Sequence, residues 1–220
     1  MAIRPLSRRK PMKIKIITLP VGFAQTNVYI CYDENNKKAI IIDPGAEPGR
    51  ILREISDSGL DVAAILLTHG HLDHIGAVNK VKEALGVKVY TSEKEAALAN
   101  DQALNGTKTF GMPPITADVD EFLTDNQEID FGFGNIRVIS TPGHTHGHIS
   151  FYIPEADILF SGDCLFRESY GRYDLPTGNF AVLKESLAYL FGLPPQTVAY
   201  PGHGPSTTIG HEKTNNPIRA

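Results

Sequence analysis

Val62-Ala63-Ala64-Ile65-Leu66-Leu67 runs directly into Thr68-His69-Gly70-His71-Leu72-Asp73-His74. The first stretch is a short, unbroken apolar run and reads as a buried strand. The second lies where that strand ends and a loop begins. Three imidazoles and one carboxylate fall within six consecutive residues there. In extended backbone, residues two apart point to the same side, so His69 and His71 can grip one ion together. Asp73 and His74 lie past the next bend and face another direction. A tight loop with ligands on two sides suits two metal ions a few ångströms apart. A lone histidine is ordinarily a packed or surface residue. Four potential ligands at this density rarely arise for packing reasons, and they are types that divalent metals take.

The composition sets the frame. The 220 residues are 41% hydrophobic and 21% charged, as in ordinary globular chains. The length suits one large domain with a core of useful size. A formal charge of -4 gives no reason to expect nucleic acid as a partner. No apolar run is long enough to span a bilayer. Cys31 and Cys164 make no disulfide framework, which points to a reducing, cytoplasmic setting. Residues 1–11 are basic and acid-free. They lack the apolar stretch of a secretory signal, are short for a transit peptide, and read as an N-terminal tail. One domain is expected over 12–213, followed by a polar, unanchored tail at 214–220.

Along the chain, β-forming runs bounded by turn residues predict strands over 13–19, 26–32, 39–42, 62–67, 87–90, 136–140, 149–153, 158–161 and 197–200. Apolar residues at helical spacing predict helices over 47–58, 77–85 and 180–191. Ser92 with Glu95 reads as a capping box opening a helix to about Asn100. Residues 101–128 have little periodicity. They form a long surface segment that either shapes substrate access or is an insertion without a role. The alternation of strands and helices in two similar halves indicates an α/β fold.

One pattern recurs. Asp43, the His69 cluster, His144, Asp163 and His203 each stand just after an apolar strand, beside Gly or Pro. Strand ends that deliver polar ligands to one end of a sandwich would build one site, although Asp43 reads equally well as a turn residue. Five of the eight histidines fall in these places, leaving His146, His148 and His211.

Thr68-His69-Gly70-His71-Leu72-Asp73-His74, Thr141-Pro142-Gly143-His144-Thr145, Ser161-Gly162-Asp163 and Pro201-Gly202-His203-Gly204, in that order, resemble the metallo-β-lactamase superfamily. Gly147-His148 after the second motif, and Phe166-Arg167 with Gly171-Arg172-Tyr173-Asp174, look like its glyoxalase II group, in the short form without a C-terminal helical domain. The resemblance implies a four-layer αββα sandwich. It implies His69, His71 and His144 on a first metal, and Asp73, His74 and His203 on a second. Asp163 and a hydroxide would bridge the two, with Asp43 and Asp73 serving catalysis around them. Imidazoles and carboxylates suit zinc first, with iron or manganese as alternatives. Two ions about 3.5–4 Å apart lower the pKa of a bridging water and polarise a carbonyl. Cys164 points away from Asp163 if the backbone is extended, and reads as packing.

The implied reaction is hydrolysis of a glutathione thioester such as S-D-lactoylglutathione, a small-molecule substrate, by a monomer or small homo-oligomer. Arg172 and Tyr173 are the candidate substrate-binding residues. Arg172 would either hold a glutathione carboxylate or pair internally with Asp174. Two other reactions remain open: an iron-dependent oxidation of glutathione persulfide that uses only the first ligand set and Asp163, and hydrolysis of another substrate class such as a lactone.

Overall fold

The structure, a computed structural model, describes residues 13–218. It holds two six-stranded sheets. The first is β1 (Ile14–Val21), β2 (Thr26–Asp33), β3 (Lys38–Ile42), β4 (Asp61–Leu66), β5 (Lys88–Thr91) and β6 (Glu121–Phe122), in that spatial order. The second is β7 (Glu128–Asp130), β8 (Asn135–Ser140), β9 (Ile149–Ile153), β10 (Ile158–Gly162), β13 (Val198–Pro201) and β14 (Thr207–Thr208). β11 (Leu165–Phe166) and β12 (Ser169–Tyr170) make a separate hairpin. The helices are α1 (Pro48–Asp57), α2 (Leu72–Ile75), α3 (Val78–Leu85), α4 (Glu93–Ala99), α5 (Phe180–Leu190) and α6 (Ile209–Asn215). Among the described residues no helix is long and apolar enough to cross a membrane.

The αββα layering follows from the two-residue period of a strand. Val28 and Ile30 of β2 pack outward with Ile51 and Ile55 of α1 and Val78 and Val81 of α3. Tyr29 and Cys31, between them, face the second sheet, where they meet Val138, Phe151 and Phe160. In the second sheet Tyr152 and Leu159 turn to the far side, onto Leu183, Leu187 and Leu190 of α5. Three cores therefore separate four layers, as expected. β4 carries one irregularity. Val62 pairs with Ala39 but Ala64 pairs with Ile40, so Ala63 is an extra residue and the alternation resumes one position out of step. A second extra residue, Ser161, sits between Phe160 and Gly162 where β10 pairs with β13, just before Asp163 leaves the sheet.

Two expectations need correction. The segment from Thr214 is not loose: α6 runs to Asn215, Asn216 is buried with its amide donating to Ser169 O and Glu212, and Ile218 joins the core beneath α5. One apolar side chain with a covered place to go anchors it. Nor do Ser92 and Glu95 close a reciprocal capping box. Ser92 Oγ accepts from Glu95 N at 3.2 Å, but the Glu95 carboxylate reaches elsewhere. The tail expected at 1–11 lies outside the described residues.

Candidate metal centre

Ligand-type residues leave both sheets at the same end. Thr68 follows β4 and is pinned to the second sheet, its carbonyl accepting from Ile149 N at 3.0 Å. His69 and Gly70 are loop, and His71 is the extended residue capping the one-turn helix α2, which carries Asp73 and His74. Asp43 follows β3, His144 lies between β8 and β9, Asp163 follows β10 and His203 follows β13.

Two groups result. The ligand atoms of His69, His71 and His144 lie within 4.8 Å of one another, as do those of Asp73, His74 and His203. Asp163 faces both: its carboxylate is 3.6 Å from His144 Nε2, 3.4 Å from His74 Nε2 and 3.4 Å from His203 Nε2. The bend expected between His71 and Asp73 thus separates the groups, and α2 is that bend. Asp43, His69 and His74 also come within this distance. The Asp43 oxygens are already engaged, however, by Thr68 N at 2.8 Å, Thr68 Oγ1 at 2.6 Å and His74 Nδ1 at 3.0 Å.

Four imidazoles are oriented by a partner on the nitrogen that faces away. His74 Nδ1 donates to Asp43, His144 Nδ1 to Arg172 O at 2.7 Å, and His203 Nδ1 to Ala24 O at 3.2 Å. The Thr68 hydroxyl donates to Asp43, so it accepts from His69 Nδ1 at 3.1 Å. This arrangement fixes the tautomer and leaves Nε2 of each as a lone-pair donor. Nε2 of His69 and of His74, and Asp163 Oδ1, are buried without a hydrogen-bond partner. His71 Nδ1 and His144 Nε2 sit 2.9 Å apart. Inward-facing acceptors with nothing to accept from fit a bound cation.

The electrostatics of the first group agree. Burial pushes His69 well below the ordinary imidazole value and His71 to about 3, the neutral form a metal needs. In the second group burial also disfavours charge, but Asp73 and Asp163 outweigh it and hold His74 well above its usual value. Burial likewise opposes charge on His203, but Asp163 and Asp73 raise it to about 9. The Asp163 carboxyl would rise on burial alone; His74 and His203 take it well below the carboxylate range.

A cavity of about 180 Å³ opens over the cluster, with Phe23, Leu72, Phe110 and Leu175 on its apolar side. Phe110 and Asn105 come from the long 101–128 segment, which therefore does shape the opening. Asn105 O ties that segment to Leu72 N at 2.9 Å. Arg172 lines the cavity too, but its guanidinium is engaged with both Asp174 oxygens at 2.8 and 2.9 Å, the internal pairing expected as its alternative. Tyr173 is not among the lining residues and packs against Phe180 with ring centroids 4.7 Å apart. Cys164 is wholly buried in the outer core of the second sheet, and burial pushes its thiol up.

Three supporting residues escaped the sequence reading. Thr68 and Thr26 (Oγ1 to Asp73 Oδ2, 2.8 Å) carry only a hydroxyl. His148, left over in the sequence, accepts from Asp163 N at 3.1 Å and pairs with Thr141 Oγ1 at 2.8 Å. Its place one strand away from Asp163 was the available signal.

The "Metallo-beta-lactamase superfamily" model matches residues 21–203. "Hydroxyacylglutathione hydrolase GloC" of Haemophilus influenzae is 39% identical over 215 residues, covering 94% of this chain and 98% of that one. The "BLEG-1 B3 metallo-beta-lactamase" crystal structure superposes with a TM-score of 0.89 at 39% identity, over 93% of this chain and 99% of the other. "TTHA1623 in a di-iron-bound form" superposes with a TM-score of 0.83 at 39% identity, over 92% and 99%.

Proposed function

We propose, from the premise that this chain belongs to the metallo-beta-lactamase superfamily and is one of its metal-dependent hydrolases, that it binds two divalent cations and hydrolyses a glutathione thioester of the S-D-lactoylglutathione kind. The observation that carries this reading is Asp163, one carboxylate facing two complete ligand groups. His69, His71 and His144 would hold one cation, Asp73, His74 and His203 the other, and Asp163 both. Zinc fits such donors, and iron and manganese remain open. Bound there, the cations supply Lewis acidity and a water of near-neutral pKa. The protein's own groups do the rest. Asp73, with Oδ2 held by Thr26 at 2.8 Å, would orient the attacking water. Asp43 keeps His74 and, through Thr68, His69 in the ligating tautomer. The apolar wall of the cavity excludes water from the acyl group. The thiol portion extends across the rim, where Arg172 meets a carboxylate if Asp174 shares it.

The likeness to the Haemophilus hydroxyacylglutathione hydrolase supports the choice of thioester. Thiol release from S-D-lactoylglutathione, followed against metal content, tests it. Release proportional to two ions per chain is expected. Protein holding two ions without release refutes the thioester. Oxygen uptake with glutathione persulfide by protein holding one iron would instead establish persulfide oxidation.

A further inference from the structure

Glu95, the third residue of α4, is wholly buried. Its Oε2 accepts from Gly70 N at 2.8 Å, and its Oε1 accepts from Thr145 Oγ1 at 2.7 Å and Gly147 N at 2.8 Å. Gly70 stands between His69 and His71, and Thr145 follows His144. One carboxylate thus joins the two loops that deliver the first ligand group, and none of these bonds reaches Asp73, His74 or His203. Ser92 adds to the same joint, its hydroxyl donating to Gly147 O at 2.7 Å. The helix lies directly on both loops. A Cβ at Gly70 would come within 2.7 Å of Ala99 N, and one at Gly147 within 2.6 Å of Lys94 Cβ.

A buried carboxylate is costly unless every bond to it is made. An apolar side chain would seat α4 here without that cost, but it would not fix two loops at hydrogen-bond length. We infer that Glu95 is the positioning residue of the first metal group, setting the separation of the His69–His71 loop from His144. This rests on the cluster's being a metal centre.

The test is zinc titration of metal-free protein against a chelator in two backgrounds. His203→Ala leaves the first group complete, and His71→Ala leaves the second. Glu95→Gln keeps the shape but puts an amide nitrogen against an N–H or hydroxyl donor. In the His203→Ala background it should weaken zinc by about 10–100-fold, the usual cost of losing an outer partner of a ligand. In the His71→Ala background it should change little. A general loss of structure would weaken both alike, and that result, or no change in either, overturns the proposal. Thr145→Val, which deletes one donor and keeps the carboxylate, should act in the same direction with Thr145→Ser restoring affinity; failure of that pattern also overturns it. If neither background takes up zinc, the metal-centre reading fails first and the positioning role with it.

Discussion

Asp43→Asn separates what the Asp43 side chain accepts from its backbone role. Asp43 is 2% exposed and has a φ of 50°, a left-handed conformation that asparagine tolerates as well as aspartate. The exchange therefore spares the turn and alters only what the side chain accepts. Oδ1 takes the Thr68 N–H at 2.8 Å; Oδ2 takes the Thr68 hydroxyl at 2.6 Å and His74 Nδ1 at 3.0 Å. An amide has a single acceptor oxygen. With its nitrogen in the Oδ1 place, it meets the Thr68 N–H donor to donor. With its nitrogen in the Oδ2 place, it can bond His74 Nδ1 only if the imidazole proton moves to Nε2, the atom facing Asp73 and Asp163. Each arrangement loses at least one hydrogen bond to a charged group, worth about 1.5–3 kcal/mol. At about 1.4 kcal/mol per factor of ten, zinc should bind about 10–100-fold more weakly. The loss falls on the group holding His74 and, through Thr68, reaches the one holding His69. Competition with a chelator measures both affinities, and circular dichroism checks the fold. A folded variant whose two affinities stay within about twofold of the parent would refute the claim that Asp43 sets the protonation of these rings.

His71→Ala should keep the fold, lose the first metal and cut thiol release by at least roughly a hundredfold; metal content and turnover on one sample decide it. Metal-free protein should lose stability as pH rises. His203 has a folded pKa of about 9 against an ordinary 6.5, so its contribution is fully present below about pH 6.5 and is lost through about pH 9. The loss should be about 1–3 kcal/mol. Zinc needs that nitrogen deprotonated, so urea midpoints of the loaded protein should not show this fall; parallel curves would contradict the assignment. Arg172→Ala keeps the carbonyl that orients His144, so metal content should hold while KM for the glutathione thioester rises about tenfold. An unchanged KM leaves Arg172 only its pair with Asp174. Ile218→Ala should cost about 2 kcal/mol in urea unfolding, and an unmoved midpoint would mean the C-terminus is not anchored there.

What could be read in the sequence was whatever a periodic pattern or a residue type announces. Runs of β-forming residues between turns made the strands legible, and histidines after apolar runs marked the strand ends, but the four layers came only with the family resemblance. A single extra residue leaves no such trace. Ala63 and Ser161 look like members of continuous strands, and only pairing across the sheet reveals them. The β11–β12 hairpin is too short for periodicity. α6 is mostly polar and is held by Glu212, whose carboxylate reaches Thr207, Glu168 N and Asn216. At Glu95 a local rule met long-range competition. The spacing from Ser92 is right for a capping box, but Gly70, Thr145 and Gly147 offer three donors in a place closed to water, whereas the helix end lies where water can serve it.

The same limit explains why the ligands were legible and their readiness was not. An imidazole is held ready to bind a cation through one nitrogen when a partner commits the other. Here the commitments come from Thr68, an aspartate that reads equally as a turn residue, and the carbonyls of Ala24 and Arg172. Every residue has a carbonyl, so sequence cannot single these two out. Arg172 is the clearest case. Its guanidinium drew the attention, yet its peptide oxygen orients His144, and that oxygen depends on the turn that Gly171 and the β11–β12 hairpin place beside Asp163. Gly171→Ala, whose Cβ would run into Asp163 O, should therefore weaken zinc at the first metal group in a chelator competition while leaving every ligand side chain in the sequence.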